Sequence, residues 1–333
     1  MRFLIGLVLV LTAGWCGYWF VGAAAKERVL SRWFEDRRAE GWVAEHDRIV
    51  VRGFPNRFDT TLTGLMLADP ETGLAWRAPF FQILALSYRP NHIIAIWPDS
   101  QTLASPQERL TLEATQMRAS VRFEPGTALT LDRVTMELDA LDVTGENGWQ
   151  SGVGSAIFAT RQNAARADFH DIAINAKAVR PSDALRRRLD PTGYLPETVE
   201  VMSADLTLGF DSPWDRRAIE EARPQITRLE LNDLNAVWGR LELRAAGELD
   251  VDQAGIPEGT ITVKAKNWRE MLQMAVDGGV LPEGLADTME RGLAVMSNMS
   301  GNPRTLDAPI SFSGGTVKFG PIPLGPAPRL RIR

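Results

Sequence analysis

Residues 3–25, FLIGLVLVLTAGWCGYWFVGAAA, contain no charged side chain, and Arg2 stands immediately before them. A helix needs roughly 20 consecutive apolar residues to cross the hydrocarbon core of a bilayer. This run meets that length and exceeds the apolar region of a cleaved signal peptide, so residues 1–25 are predicted to be a transmembrane signal anchor. The small residues Ala23, Ala24 and Ala25 leave cleavage open as the alternative. Lipoprotein processing at Cys16 is not expected, because bulky Trp15 precedes the cysteine.

Charge counting around the span pulls in two directions. Lys26, Arg28, Arg32, Arg37 and Arg38 follow it, which by the positive-inside rule would keep the following chain in the cytoplasm. Long domains nevertheless translocate largely regardless of charge, and a first helix behind a short basic tail commonly directs export. The expectation is a single-pass protein of the inner, cytoplasmic membrane with its body in the periplasm. After the span, Val29, Leu30, Trp33 and Phe34 fall at helical spacing among charges of both signs, predicting a short amphipathic juxtamembrane helix within residues 26–46 that continues from the anchor. Trp33 and Trp42 either sit at headgroup level or pack on the body.

From residue 47 the dominant period is two. Leu110, Leu112 and Ala114 share one face of a strand, as do Met202, Ala204, Leu206, Leu208 and Phe210, and then Ile261, Val263 and Ala265. Such alternation suits antiparallel strands with one buried and one wet face. Several strands slip phase: Leu129 and Leu131 before Val134, Met136 and Leu138; Leu229 and Leu231 before Leu234, Ala236 and Trp238; Phe169 before Ile172 and Ile174; Leu62 before Leu65 and Leu67. Each slip is either a bulge that bends the strand or a tight turn between two shorter strands. Repeated bends would curl the sheet into a groove with an apolar interior. Helices are expected at 181–190, 212–224, 267–277 and 283–299, and the tail at 309–319 reads as a hairpin turning on Gly314 and Gly315.

The fold class that follows is mainly β: an N-terminal transmembrane helix, then a large curved antiparallel sheet, groove-like or taco-like, with a few short covering helices. The β-rich body over 47–333 divides into two related halves, 47–197 and 198–333. An echo between AKAVRPSDALRRRLDPTGYLPE (176–197) and KAKNWREMLQMAVDGGVLPE (264–283) marks the same strand–helix–turn unit in each half.

Chemistry is sparse. The single cysteine lies inside the apolar run, and His46, His92 and His170 are widely separated, so no catalytic or metal site and no cofactor is expected. No Gly-x-Ser-x-Gly elbow, phosphate-binding loop or dinucleotide loop is present. A formal net charge of −5 gives no electrostatic footprint for nucleic acid. These readings favour a protein that is not an enzyme.

Four stretches carry a resemblance: GFPNRFDTTLTGLMLADPETGLAWRAP (53–79), YRPNHIIAIWP (88–98), GELDVDQAGIPEGTITVKAKNW (247–268) and FGPIPLGPAP (319–328). Together they resemble a family of membrane-anchored proteobacterial envelope proteins known as a domain of unknown function, family 2125, which carries no established activity to transfer. More distantly, residues 243–272 and 314–325 resemble the C-terminal part of AsmA-like envelope proteins. That resemblance implies a curved β-sheet with an apolar groove and a tie to lipid transport.

The leading expectation is an anchored protein that binds, or helps to transfer, membrane lipid. Leu129, Leu131, Met202, Leu206, Leu208, Phe210, Leu229, Leu231, Ile261 and Val263 would line its groove. The alternative is a non-enzymatic scaffold or assembly factor that binds another envelope protein through a sheet edge or the tail PIPLGPAPRLRIR. A hydrolase with two carboxylates far apart in sequence is the third reading, with no constellation to support it.

Overall fold

A 38-residue helix, α1 (Arg2–Ala39), contains the whole apolar run and continues through the charged segment behind it. No proline or glycine pair interrupts residues 23–39, so nothing in the sequence breaks the helix at the end of the span. The helix is long and apolar enough to cross a membrane. It ends at Ala39, and Val43–Glu45 already form strand, so the juxtamembrane helix expected over 26–46 is the second part of one continuous helix and stops seven residues early. This computed structural model describes residues 1–191, 193–279, 281–299, 302–320 and 322–332, without the side chains of 219, 220, 283, 285, 296, 299 and 322.

The chain is mainly β, and the strand pairings registered among the described residues are all antiparallel. It divides into two compact units, Met1–Pro125 with Met136–Gly148, and Gly126–Thr135 with Trp149–Arg333. The division near residue 148 differs from the halves read from the sequence. It places both strand–helix–turn echoes in the second unit.

The first unit holds α1, β1 (Val43–Glu45), β2 (Arg48–Arg52), β3 (Arg57–Ala68), β4 (Ala75–Leu86), β5 (Arg89–Ile96), β6 (Ser100–Ala104), β7 (Arg109–Glu113), β8 (Gln116–Phe123) and most of β9 (Leu131–Gly145). Strands β1 and β2 share one edge of β3. On the far side, β4 pairs with β5 through Gln82–Leu86 and with β6 through residues 75–77. Phe34 of α1 is fully buried against Ala44, Leu62, Leu65 and Ala78. Leu62 and Leu65 lie three apart on one strand, an odd spacing for a shared face. Gly64 between them has φ +63°, and a Cβ there would run into the Asp47 carboxylate, so the phase change requires glycine. Trp42 packs against this core, while Trp33 is stacked edge-to-face on Phe34.

The second unit continues with β10 (Gln150–Gln162), β11 (Phe169–Arg180), α2 (Asp183–Leu189), β12 (Val199–Phe210), α3 (Arg217–Glu220), β13 (Ile226–Trp238), β14 (Leu241–Val251), β15 (Pro257–Lys266), α4 (Trp268–Asp277), α5 (Glu283–Met299), β16 (Thr305–Ser313), β17 (Thr316–Phe319) and β18 (Ile322–Pro326). From β10 to β18 each strand pairs with the next in sequence, a nine-stranded meander. Ser182 caps α2 by accepting from the Leu185 amide. The helix expected at 212–224 shrinks to one turn, since Pro213 and Pro224 bracket it and Asp215 spends its carboxylate on Arg217. Gly314 and Gly315, at φ +57° and +70°, make the tight turn between β16 and β17. Of the two Leu-Pro-Glu turns, the first is ordered by Asp190, which accepts from the Tyr194 and Leu195 amides; the side chain of Glu283 in the second lies outside the described residues.

Candidate functional site

In an antiparallel sheet, residues paired across strands share a face, so the register of the second unit can be read as rows. One row runs Phe158, Ile174, Ala204, Leu234, Ala245, Val263, Ala308. The next runs Thr160, Ile172, Leu206, Leu231, Gly247, Ile261, Ile310, Phe319. Rows on either side run Ala156, Ala176, Met202, Ala236, Leu243, Ala265, Leu306 and Gln162, His170, Leu208, Leu229, Leu249, Gly259, Phe312, Val317. Four rows on one face of this meander are therefore almost wholly apolar.

The phase slip in β13 is what keeps the rows in line. Against β14 the partner of Leu231 is Gly247 and that of Leu234 is Ala245; against β12 the shift falls between Leu206 and Asp205. Both shifts count one extra residue in β13, a bulge at Asn232 and Asp233 that returns Leu234, Ala236 and Trp238 to the face of Leu229 and Leu231. The slip in β11 has a different cause. His170, Ile172 and Ile174 are in phase, and Phe169 lies on the other face, beneath the Arg166 guanidinium at 3.9 Å. β9 passes through its slip as one strand.

Coverage of the apolar face is uneven. Helices α4 and α5 cover its β14–β16 end, where Trp268, Met289 and Leu293 pack on Ala265, Leu306 and Ala308. At the β10–β12 end no helix among the described residues is seen packed on the rows, and Phe158, Ile174 and Met202 are 37%, 41% and 45% exposed. His170 is buried beside Phe210, with rings 6.0 Å apart, and burial pushes its pKa down, so it serves there as a neutral ring.

The opposite face is ionic. Arg166 grips Glu230 with both nitrogens at 2.7 Å, and Arg228 reaches Glu230 at 2.9 Å, Asp250 at 2.8 Å, and Glu248. Asp171 accepts from Asn163 at 2.7 Å, and from Arg161 and Thr207, both at 3.2 Å. The Arg166 fork, with Arg228, holds the Glu230 carboxyl down at about 2. The sign of the resulting pH dependence is fixed. A depressed carboxyl stabilises the fold above its ordinary pKa near 4.5 and loses that contribution as pH falls toward 2. Glu230→Gln should therefore destabilise the protein by about 2 kcal/mol at pH 7. In urea melts of the two proteins, the gap should narrow steadily below pH 4.5. A gap that stays constant down to pH 3 would show that the charge is immaterial.

Of the ten residues expected to line a groove, Met202, Leu206, Leu208, Leu229, Leu231, Ile261 and Val263 stand on the four rows, and Phe210, paired with Ile226, extends them. Leu129 and Leu131 stand elsewhere. Leu129 is in the loop before β9 at φ +53°, and Leu131 opens β9 with its amide donated to the Trp214 carbonyl. Phe158 and Ile174 escaped the sequence reading as lining residues. Ile157 adjoins Phe158 and is itself exposed on the opposite face, so the Ile-Phe pair hides the alternation. Among the described residues no group of three or more His, Cys, Asp or Glu could hold a metal.

A family model described as an uncharacterized protein conserved in bacteria (DUF2125) matches residues 19–328, from within α1 through β18. No curated protein and no solved structure matches the chain.

Proposed function

The chain belongs to the DUF2125 family of uncharacterized bacterial proteins, and from its two-faced sheet we propose that it is a single-pass inner-membrane protein holding lipid acyl chains in the periplasm. The observation that carries this reading is the apolar face of the second unit. Its four rows are continuous over the meander, yet α4 and α5 cover only one end. Phe158, Ile174 and Met202 leave a contiguous apolar surface at the other end. Each methylene of an acyl chain laid there gains about 0.8 kcal/mol on leaving water. The ionic ladder on the reverse face keeps the sheet two-sided and directs lipid to one face. The protein binds or passes on lipid and makes no covalent change to it. The sequence resemblance to AsmA-like proteins points the same way.

The scaffold alternative has less in its favour. The tail is tied to its own unit: Ile322–Pro326 pair with β17, the Leu330 amide donates to the Gly255 carbonyl, and Gln225 exchanges hydrogen bonds with Ile332. Pro323 and Pro326 also remove amide donors from the outermost strand, which blunts strand addition.

The test is native mass spectrometry of the full chain extracted in a mild detergent. Retention of a stoichiometric phospholipid after delipidating washes, or its uptake from liposomes, is expected. A stoichiometric protein partner with no lipid favours the scaffold instead.

A further inference from the structure

The apolar helix is not free of the body along its length. Trp15 donates from its indole to the Pro55 carbonyl at 3.1 Å, Trp19 to the Arg57 carbonyl at 2.7 Å, and the Tyr18 hydroxyl to the Ser87 carbonyl at 2.7 Å. The Phe54 ring lies 5.4 Å from those of both Trp19 and Phe20. Further along, Glu27 accepts from the Val51 amide and Phe34 enters the core of the first unit. The helix therefore lies against the β2–β3 and β4–β5 turns from Trp15 onward, leaving residues 2–14 to project beyond them.

Helix geometry makes this a constraint. Thirteen residues at 1.5 Å each give about 20 Å, whereas the hydrocarbon core is about 30 Å thick. The uncharged run ends only at Lys26, about 16 Å along the helix axis past Trp15. If residues 3–25 span the membrane, both turns must lie below the level of Lys26. The turns suit that depth. Phe54 and Tyr88 project from them 48% and 57% exposed, beside Pro55. Part of their backbone is paired within the protein: Ser87 donates to the Asn56 carbonyl, Arg57 to the Gly53 carbonyl, and the three aromatic donors of α1 take the carbonyls of residues 55, 57 and 87. Each such pairing lowers the cost of bringing a turn toward lipid.

We propose that the two turns, residues 53–56 and residues 87 and 88, are seated in the bilayer interface beside α1, so that the first unit is docked on the membrane instead of tethered above it. Phe54, Pro55 and Tyr88 enter the acyl boundary, the aromatic groups at a depth where amphipathic rings are favoured. Arg89, exposed next to Tyr88, reaches back to lipid phosphate. The proposal rests on the reading of α1 as a membrane anchor, and its test separates the two.

The experiment is photo-crosslinking of the full chain in phosphatidylethanolamine/phosphatidylglycerol nanodiscs, with a photoreactive phenylalanine analogue at one position per variant. Positions 54 and 88 probe the turns, position 9 probes the span, and position 71 serves as a distant control. Glu71, in the β3–β4 turn, stands at the far end of the 12-residue strand β3, about 40 Å from the tips. Lipid adducts at positions 9, 54 and 88, with none at 71, are the expected result. Adducts at 9 alone overturn the docking and leave the anchor standing. Absence of adducts at 9, 54 and 88 alike overturns both.

Discussion

Trp268→Ala is expected to cost about 3–5 kcal/mol, the range for deleting a fully buried indole whose cavity cannot collapse. The ring is enclosed by Met289, Leu293, Leu306 and Ala308, its Nε1 donates to the Pro303 carbonyl at 3.3 Å, and the Arg269 guanidinium lies over it at 4.4 Å. It joins the first turn of α4 to β16 and to α5, so its loss loosens both helices from the β14–β16 end of the sheet at once. At 2–4 °C per kcal/mol for a unit of this size, thermal melting followed by circular dichroism should fall by about 10 °C. Trp268→Phe, which restores most of the volume but not the donor, should recover the larger part of the loss. A melting temperature within 2 °C of wild type for the alanine variant would mean that the helices are not held by this core.

The second large effect concerns lipid. Phe158 and Ile174 are cross-strand partners at the uncovered end of the apolar face. The double variant Phe158→Asp/Ile174→Asp removes apolar contact area and sets two carboxylates where an acyl chain would have to desolvate them, at several kcal/mol per unpaired charge. Retained lipid should fall more than about tenfold, since each 1.4 kcal/mol is a factor of ten. Both positions are more than a third exposed, so the fold itself should survive with a small change in melting temperature. Ile157→Asp, on the opposite face of the same strand and more exposed still, is the matched control and should keep its lipid. Equal loss from the control would assign the effect to charge or to β10 itself.

Much of this architecture is legible in the residues. The uncharged run at 3–25 announces the helix because hydrophobic length is a one-dimensional property. Strands β12 and β15 are equally plain, since strict alternation in Met202 to Phe210 and Ile261 to Ala265 admits one period. The continuation of α1 beyond the span is legible too, since Val29, Leu30, Trp33 and Phe34 keep helical spacing and no proline or glycine stands between Ala23 and Gly41. Other features depend on partners far along the chain. The bulge in β13 could be told from a tight turn only by the register of Leu231 against Gly247 and Leu206. The row that joins Phe158 to Ala308 is a property of seven strands in register and of none alone. Leu129 looked like a lining residue because it alternates with Leu131, but its positive φ takes it out of the strand. The ladder of Arg166, Arg228 and Glu230 is hidden for the same reason, its bidentate partners standing 64 positions apart.

The central claim is that the apolar face of the second unit holds lipid. Its most direct test compares the wild-type chain with Phe158→Asp/Ile174→Asp by native mass spectrometry from one detergent, the intact anchor in both correcting for lipid carried by α1. A stoichiometric phospholipid on the wild type that is absent from the variant is the predicted result. The same lipid complement on both proteins, or none on either after exposure to liposomes, would contradict it.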